Sequence, residues 1–155
     1  MLETEVKFFL TDPDAFRRRL QAAGTAARGE AFETNYRYDA ADHRLWAARC
    51  LLRLRRDRRN FLTFKKPHPA GGRQFKTHEE IEIEVSDFDA AAQLLEALGF
   101  RREQIYEKRR ATFTLGAVEI CLDHLPFGHF VEIEGTPEAV PAAAATLELA
   151  WPGRI

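Results

Sequence analysis

Three charged residues near the beginning of the chain, Glu3, Glu5 and Lys7, follow one another at every second position. In an extended strand this spacing places all three on one face, because successive side chains point to opposite sides. Two carboxylates beside an ammonium group are a candidate site for a metal ion and a phosphorylated ligand. A solvated face of an antiparallel strand explains the same spacing, and for this segment alone it is the simpler interpretation.

Basic residues share a face on later segments of the chain. The set consists of Arg53, Arg55, Lys65, Lys108 and Arg110. Guanidinium groups bind phosphate oxygens through paired hydrogen bonds, and lysine contributes a compact positive charge. These side chains are therefore suited to binding a polyanion.

Acidic residues are segregated from the basic ones and lie on other predicted strands. Those that share a face within a strand are Glu80, Glu82 and Glu84, then Glu119 and Asp123, then Glu132 and Glu134. Like charges at neighbouring positions repel, so each acidic cluster becomes favourable when a cation neutralises it. Carboxylate oxygens are ligands that Mg²⁺ and Mn²⁺ prefer. The acidic and basic clusters together suit a polyphosphate with its divalent metal ion.

The composition is that of a globular protein. The chain has 155 residues, of which 45% are hydrophobic and 30% charged, and its formal net charge is −1. This length predicts one domain over residues 1–155, and the near-neutral charge argues against nucleic acid and anionic membrane as partners. The absence of a transmembrane-length hydrophobic run or a signal-peptide pattern predicts a cytoplasmic protein. Cys50 and Cys121 stand far apart and suggest neither a disulfide nor a zinc site.

Hydrophobic periodicity predicts about eight strands and three helices. The helices are expected at 13–23, 88–98 and 137–149, and the strands at 1–10, 32–38, 49–56, 61–66, 76–86, 103–115, 117–123 and 129–135. A loop is expected at 67–72. Short connections favour antiparallel neighbours, so the predicted fold class is α+β with a large antiparallel sheet. Large antiparallel sheets usually close or fold over, which protects their edges. Periodicity leaves open whether the charged faces line a polar tunnel or face solvent.

Several short motifs occur in an order that resembles a known family. They are Glu3-x-Glu5-x-Lys7, Leu52-Arg53-Leu54-Arg55, Leu62-Thr63-Phe64-Lys65, the acidic strand with Glu80 and Glu82, Leu98-Gly99-Phe100, Lys108-x-Arg110, Leu122-Asp123 and Phe130-Val131-Glu132-Ile133-Glu134. Over about residues 1–135 the chain resembles the CYTH proteins, also called triphosphate tunnel metalloenzymes. That family includes class IV adenylyl cyclases, thiamine triphosphatases and inorganic triphosphatases.

The resemblance implies a closed eight-stranded antiparallel barrel with helices outside it, and a Mg²⁺- or Mn²⁺-dependent reaction at a triphosphate. By position it assigns metal binding to Glu3, Glu5, Asp123, Glu132 and Glu134. It assigns phosphate binding to Lys7, Arg53, Arg55, Lys65, Lys108 and Arg110, with Glu5, Lys7 and Lys65 as candidate catalytic residues and Glu80 and Glu82 as supporting acids. Two features depart from the family pattern. His78 stands where many relatives have arginine, and the Ser-Tyr tail that often follows the last helix is missing.

The expected function is hydrolysis of a triphosphate-containing small molecule by a monomer or homodimer. Cyclisation of ATP to cyclic AMP and pyrophosphate is the alternative, because the same charged cradle serves either reaction. A polyphosphate-binding module without catalysis is a third reading. Tyr36, Tyr38 and Phe130 are candidates for contacts with a nucleotide base, although packing is the simpler role for aromatic residues in strands.

Overall fold

The computed structural model describes residues 1–71 and 74–155. Within them the strands are β1 (Leu2–Leu10), β2 (Ala26–Ala40), β3 (Leu51–Arg56), β4 (Asn60–Pro67), β5 (Lys76–Glu84), β6 (Phe100–Leu115), β7 (Val118–Leu125) and β8 (Gly128–Glu134). The α-helices are α1 (Pro13–Ala22), α2 (Arg44–Ala47), α3 (Phe88–Ala97) and α4 (Ala139–Thr146), and short 3₁₀ turns occupy Pro69–Gly71 and Trp151–Gly153. The last residue of the loop predicted at 67–72 lies outside the described residues.

The strands form one closed antiparallel sheet. Hydrogen-bonded neighbours follow the order β1-β5-β4-β3-β2-β6-β7-β8, and β8 pairs with β1 to complete the ring. A closed sheet has no exposed strand edge, which satisfies backbone donors and acceptors that an open edge would leave to solvent. The predicted fold class, α+β with a closed eight-stranded antiparallel barrel, is confirmed.

Two elements differ from the sequence prediction. β2 begins at Ala26 rather than at residue 32, in a segment of small and charged residues that lacks strand-like alternation. The helix α2 lies between the strands predicted at 32–38 and 49–56 and was not expected. The carboxylate of Asp39 holds it by accepting the backbone N–H groups of Leu45 at 3.0 Å and Trp46 at 2.9 Å. Both features depend on backbone hydrogen bonds, which side-chain periodicity does not report.

The chain divides into two compact units. Unit 1 comprises Met1–Leu2, Phe32–Pro69 and His78–Glu107, and unit 2 comprises Glu3–Ala31, Ala70–Thr77 and Lys108–Ile155. The single domain predicted for the whole chain stays a prediction.

In unit 1, α3 packs on the hydrophobic face of β2 and β3. The buried residues of this core are Tyr38, Leu54, Phe88, Ala92 and Leu95. The helix begins where the Asp87 side chain accepts the backbone N–H of Ala90 at 2.9 Å, which satisfies one of the unpaired donors of the first turn. The charged residues that alternate with the hydrophobic ones, Arg53 and Arg55 of β3 and Lys65 of β4, therefore lie on the face turned away from α3.

In unit 2, α1 and α4 supply the helical side of a larger core. Its fully buried members include Phe16 and Leu20 of α1, Ile120 of β7, Val131 and Ile133 of β8, Val140 of α4, and Leu147 immediately after α4. The hydrophobic residues of β1 join this core, since Val6, Phe8 and Leu10 are each at most 5% exposed. Because the hydrophobic faces pack against helices, the charged faces of β1, β7 and β8 point the other way. No helix in the described part of the chain is long and hydrophobic enough to cross a bilayer.

Candidate functional site

Five charged side chains of unit 2 form one hydrogen-bonded group, named here the acid–base cluster. Its members are Lys7 of β1, Lys108 and Arg110 of β6, Asp123 of β7 and Glu132 of β8. All five come from strands whose opposite faces carry the hydrophobic core. The alternation of charged and hydrophobic residues along these strands thus places the charges on one side.

Asp123 is the centre of the acid–base cluster and is fully buried. It accepts a hydrogen bond from Lys108 Nζ at 2.8 Å and two from Arg110, whose Nε and Nη2 atoms are each 2.6 Å from a carboxylate oxygen. A buried carboxylate is tolerable only when it is paired and hydrogen-bonded, and the forked guanidinium contact meets that need. Burial alone would lower the pKa of Arg110, but the bond to Asp123 and the charge of Glu132 hold it well above its usual value.

Glu132 is the second acid of the cluster and lies between two cations. Lys7 Nζ is 2.8 Å from its Oε1 atom, and Arg110 Nη2 donates to its Oε2 atom. Burial alone would raise the pKa of Glu132, but the charges of Arg110, Lys108 and Lys7 hold it well below its usual value. Burial also lowers the pKa of Lys7, yet the charge and hydrogen bond of Glu132 outweigh that effect and raise it. Glu132 and Lys7 are therefore both charged at neutral pH.

Three further carboxylates stand side by side on the same face, on three neighbouring strands. The sheet register pairs Glu5 of β1 with Glu134 of β8, and Glu134 with Glu119 of β7. We call these three residues the carboxylate row, and Glu3 lies two positions before Glu5 on β1. Like charges directly opposite one another in a sheet are unfavourable, so this row is better tolerated when a cation lies beside it.

The carboxylate row fits the chemistry of Mg²⁺ or Mn²⁺ without forming a finished metal cage. Among residues 1–71 and 74–155, no group of three or more acidic, histidine or cysteine side chains is arranged to hold a metal ion. Mg²⁺ is usually bound by one or two protein carboxylates together with water and substrate phosphate, so a preformed cage is not required. The oxygen donors of Glu5 and Glu134 meet that description.

Unit 1 carries a second charged face on β3, β4 and β5. Lys65 Nζ is 2.9 Å from Glu80 Oε2, and both side chains are largely buried. The hydroxyl of Thr63 donates to Glu82 Oε2 at 2.7 Å. The two acids predicted to support the basic residues thus contact β4 directly, and their supporting role stays a prediction.

Arg53 and Arg55 of β3 lie on this same face of unit 1. Arg53 is paired in register with Thr63 on β4 and with Arg37 on β2. Arg55 is close to Asp57, with 3.5 Å between Nε and Oδ2, and its guanidinium lies 4.9 Å from the centre of the Phe61 ring. The face therefore brings several cations together, as the sequence predicts for a polyanion site.

Sequence reasoning missed the contribution of β2 to this face. Asn35 is paired in register with Arg55, and Arg37 with Arg53, which puts both on the charged side. Asn35 is fully buried, and its Oδ1 atom accepts no hydrogen bond from the described residues. Glu33, Asn35 and Arg37 alternate with Tyr36 and Tyr38 along the sequence. This alternation indicates a polar face on β2 and could have identified Asn35 and Arg37 as candidates.

The aromatic candidates for a nucleotide-base contact fall on different faces. Tyr36 packs edge-to-face on Phe88 of α3 at 4.9 Å between ring centres, and Tyr38 is only 3% exposed. Both tyrosines therefore serve the hydrophobic core of unit 1. Phe130 instead lies on the charged face of unit 2, with Lys7 Nζ 5.3 Å from its ring centre.

Comparison with known proteins gives one family and several similar chains. The CYTH domain family model matches residues 1–150. A Methanocaldococcus jannaschii protein, provisionally named an adenylate cyclase, is 26% identical over 136 residues, which cover 86% of this chain and 77% of that protein. A solved Vibrio parahaemolyticus structure with the same provisional name has a TM-score of 0.87 at 24% identity and covers 100% of this chain and 93% of its own. A solved Hippeastrum protein, provisionally named an adenylyl cyclase and described as having a dominant triphosphatase activity, has a TM-score of 0.71 at 20% identity, with coverage of 97% and 88%.

Proposed function

The chain belongs to the CYTH domain family, and from this premise we propose that it hydrolyses a triphosphate substrate with the help of Mg²⁺ or Mn²⁺. The observation that carries the proposal is the position of the acid–base cluster beside the carboxylate row on one face of β1, β6, β7 and β8. Basic groups suited to phosphate and carboxylates suited to a divalent ion thus adjoin each other. Reactions at phosphorus require mainly this combination of positioning and charge stabilisation.

Lys7 and Arg110 are the cations of the cluster best placed to bind phosphate. Their side chains are 30% and 17% exposed, whereas that of Lys108 is 6% exposed against the fully buried Asp123. We assign Lys108 mainly to fixing Asp123, which in turn orients the Arg110 guanidinium. Three cations contact two carboxylates in this cluster.

Glu5 and Glu134 are the carboxylates that we propose to bind the metal ion directly. Glu3 and Glu132 are the further candidate ligands, each two positions before one of them in sequence. A bound divalent ion would neutralise phosphate charge and lower the pKa of a coordinated water. Asp123 is less suited to this role than the sequence implied, because its oxygens already accept bonds from Lys108 and Arg110. Glu5 is the proposed residue that orients the attacking water, and Lys7 stabilises the charge that develops on the phosphoryl oxygens.

The charged face of unit 1 carries the other residues predicted to bind phosphate. Arg53, Arg55 and Lys65 are the candidates, and Lys65 also remains a candidate catalytic residue. The ion pair between Lys65 and Glu80 fixes the ammonium group in place, which reduces the ordering cost of binding. Arg37 is added to this group by its register with Arg53.

Cyclisation of ATP to cyclic AMP is the second candidate reaction. The name of the Methanocaldococcus jannaschii relative supports it. The Hippeastrum protein, whose likeness to this chain shows the fold alone, illustrates that triphosphatase activity can accompany such a name. Both reactions use the same charged face and differ in which phosphorus is attacked and by which oxygen.

An activity panel with Mg²⁺ and with Mn²⁺ tests the proposal. The substrates are inorganic triphosphate, ATP and thiamine triphosphate, and the assay separates released phosphate from cyclic AMP plus pyrophosphate. Phosphate release as the main product is expected. Cyclic AMP as the main product would replace hydrolysis by the cyclase reaction, and tight binding without turnover of any of the three would show a binding module instead.

A further inference from the structure

The charged face of β1 and β8 continues into a pair of aromatic residues. Three successive cross-strand pairs project from this face: Glu5 with Glu134, Lys7 with Glu132, and Phe9 with Phe130. Each pair is two residues from the next, which is about 6.6 Å along a strand. Along this face the order of the pairs is two acids, then an acid and a base, then two aromatic rings.

Phe127 completes a group of three rings that we name the aromatic platform: Phe9, Phe127 and Phe130. The ring centres of Phe9 and Phe130 are 5.4 Å apart, and those of Phe127 and Phe130 are 5.8 Å apart, both with edge-to-face geometry. Phe127 is 72% exposed and Phe9 is 51% exposed. Phenylalanine is among the residues most often buried, so a cluster of such rings open to solvent marks a binding surface.

The hairpin that carries Phe127 does not need an aromatic residue. β7 ends at Leu125 and β8 begins at Gly128, so the connection consists of Pro126 and Phe127 alone. Two-residue hairpin turns are favoured by glycine, asparagine and aspartate, none of which is aromatic. The Phe127 ring is therefore explained by what it contacts rather than by the turn that holds it.

Gly128 makes the space in which the platform forms. A Cβ atom at Gly128 would lie 2.8 Å from Cε2 of Phe9 and 3.7 Å from Cε2 of Phe130. Gly128 also has a φ of +152°, which residues with a side chain rarely adopt. Any side chain here would push the Phe9 ring away from its neighbours.

The aromatic platform is joined directly to the proposed phosphate site. The Lys7 ammonium group lies 5.3 Å from the centre of the Phe130 ring and also pairs with Glu132 at 2.8 Å. A ligand whose phosphate is held by Lys7 would thus place its next chemical group against the rings. Phenylalanine rings bind flat aromatic groups by stacking, and this attraction tolerates different ring types.

We infer that the aromatic platform binds a ring of the substrate, so that the substrate is a triphosphate ester carrying a heteroaromatic group, as in a nucleoside triphosphate, rather than inorganic triphosphate. Phe127 is then a specificity-determining residue that contacts the part of the substrate which does not react. This inference rests on the proposed triphosphate chemistry of the same face.

The test compares ATP with inorganic triphosphate in wild-type protein, Phe127→Ala and Trp46→Ala. Trp46 is the matched control because it is also 72% exposed but belongs to unit 1. We expect Phe127→Ala to lower kcat/KM for ATP about 10-fold, the size of one lost stacking contact, while kcat/KM for inorganic triphosphate changes less than about twofold. Trp46→Ala is expected to change neither value. Equal losses for both substrates in Phe127→Ala, or no loss, would overturn the inference.

Binding measurements keep the inference separate from the proposed function. Calorimetry with ATP and with inorganic triphosphate, in Mg²⁺, is made on the same three proteins. If the wild-type protein turns over neither compound but Phe127→Ala weakens ATP binding selectively, the proposed hydrolysis is contradicted and the role of the aromatic platform is supported. If the wild-type protein hydrolyses inorganic triphosphate and binds ATP no better than Phe127→Ala does, the role of the aromatic platform is contradicted and the proposed hydrolysis is supported. Failure of wild-type protein to bind either compound would overturn both.

Discussion

Lys7 and Glu132 stand directly opposite each other on β1 and β8, with Lys7 Nζ 2.8 Å from a carboxylate oxygen. The pair links the first strand of the chain to the last, whose pairing completes the ring of strands. Both side chains lie on the charged face of these strands. Arg110 reaches the other oxygen of the same carboxylate. Glu132 therefore orients two of the cations that we propose to bind phosphate, in addition to adjoining the carboxylate row.

Replacing Glu132 by glutamine should abolish activity while the fold persists. Glutamine keeps the size of the side chain but removes the charge that orients Lys7 and Arg110, and removal of one organised electrostatic contact typically costs about 100-fold or more in rate. Asp123 still pairs with Arg110 and Lys108, so the sheet should assemble. The measurements are phosphate release and circular dichroism.

A matched control for this variant is Glu30→Gln, which changes an exposed carboxylate paired with Arg17 on the outside of unit 2. Its activity should equal that of the wild-type protein. Wild-type turnover by Glu132→Gln would contradict the role given to Glu132 in both metal and phosphate binding.

The acid–base cluster also predicts how stability depends on pH. The pKa of Glu132 lies well below its ordinary value of 4.5 in the folded protein, where neighbouring cations outweigh the effect of burial. Below about that pH the unfolded chain binds a proton that the folded chain does not, so the free energy of unfolding falls as the pH falls. The contribution is fully present above the ordinary pKa and is lost progressively in acid.

Urea unfolding at pH 7, 5 and 3.5 measures this contribution. The wild-type protein and Glu30→Gln should lose stability over this range more steeply than Glu132→Gln, which has no group at position 132 to titrate. The same loss of stability in all three proteins would show that Glu132 does not carry the acid dependence assigned to it.

The sequence reveals which residues share a face but not which of them touch. The two-residue period put Glu3, Glu5 and Lys7 together correctly, since alternation is a property of any extended strand. The pairing of Lys7 with Glu132 depends on the register between two strands that are distant in sequence, and no local pattern encodes it. The different surroundings of Asp123 and Glu134, one enclosed by cations and the other in a row of acids, emerged only with that register.

Periodicity also left open which faces the helices cover, because both arrangements produce the same alternation. The buried contacts of Phe16 and Val140 with the strand residues of unit 2 decide that the hydrophobic faces meet the helices. The early start of β2 escaped prediction for another reason. Its first residues are held by strand pairing rather than by their own burial, and they are nearly all exposed.

Asp39 provides a prediction about stability that does not involve catalysis. Its buried carboxylate accepts backbone hydrogen bonds from Ala40, Leu45 and Trp46 at 2.7 to 3.0 Å. Asp39→Ala would leave these donors without their partner, and we expect a loss of about 2 kcal/mol in the free energy of unfolding. The control is Asp42→Ala, which removes one longer contact of 3.3 Å at an exposed position and should cost less than about 0.5 kcal/mol. Equal losses of stability in the two variants, measured by urea unfolding, would contradict the role assigned to the Asp39 carboxylate.

Removal of metal should lower the stability of the wild-type protein and have little effect on Glu134→Gln, because Glu134 is a proposed ligand of the metal ion. Glu134 lies directly opposite both Glu5 and Glu119, so Glu134→Gln relieves two like-charge contacts. Added Mn²⁺ should raise the melting temperature of the wild-type protein and of the control Glu138→Gln, an exposed residue at the start of α4. It should have little effect on Glu134→Gln, which has lost a proposed ligand. Titration calorimetry with Mn²⁺ measures the same difference directly, and equal Mn²⁺ affinity in all three proteins would remove Glu134 from the metal site.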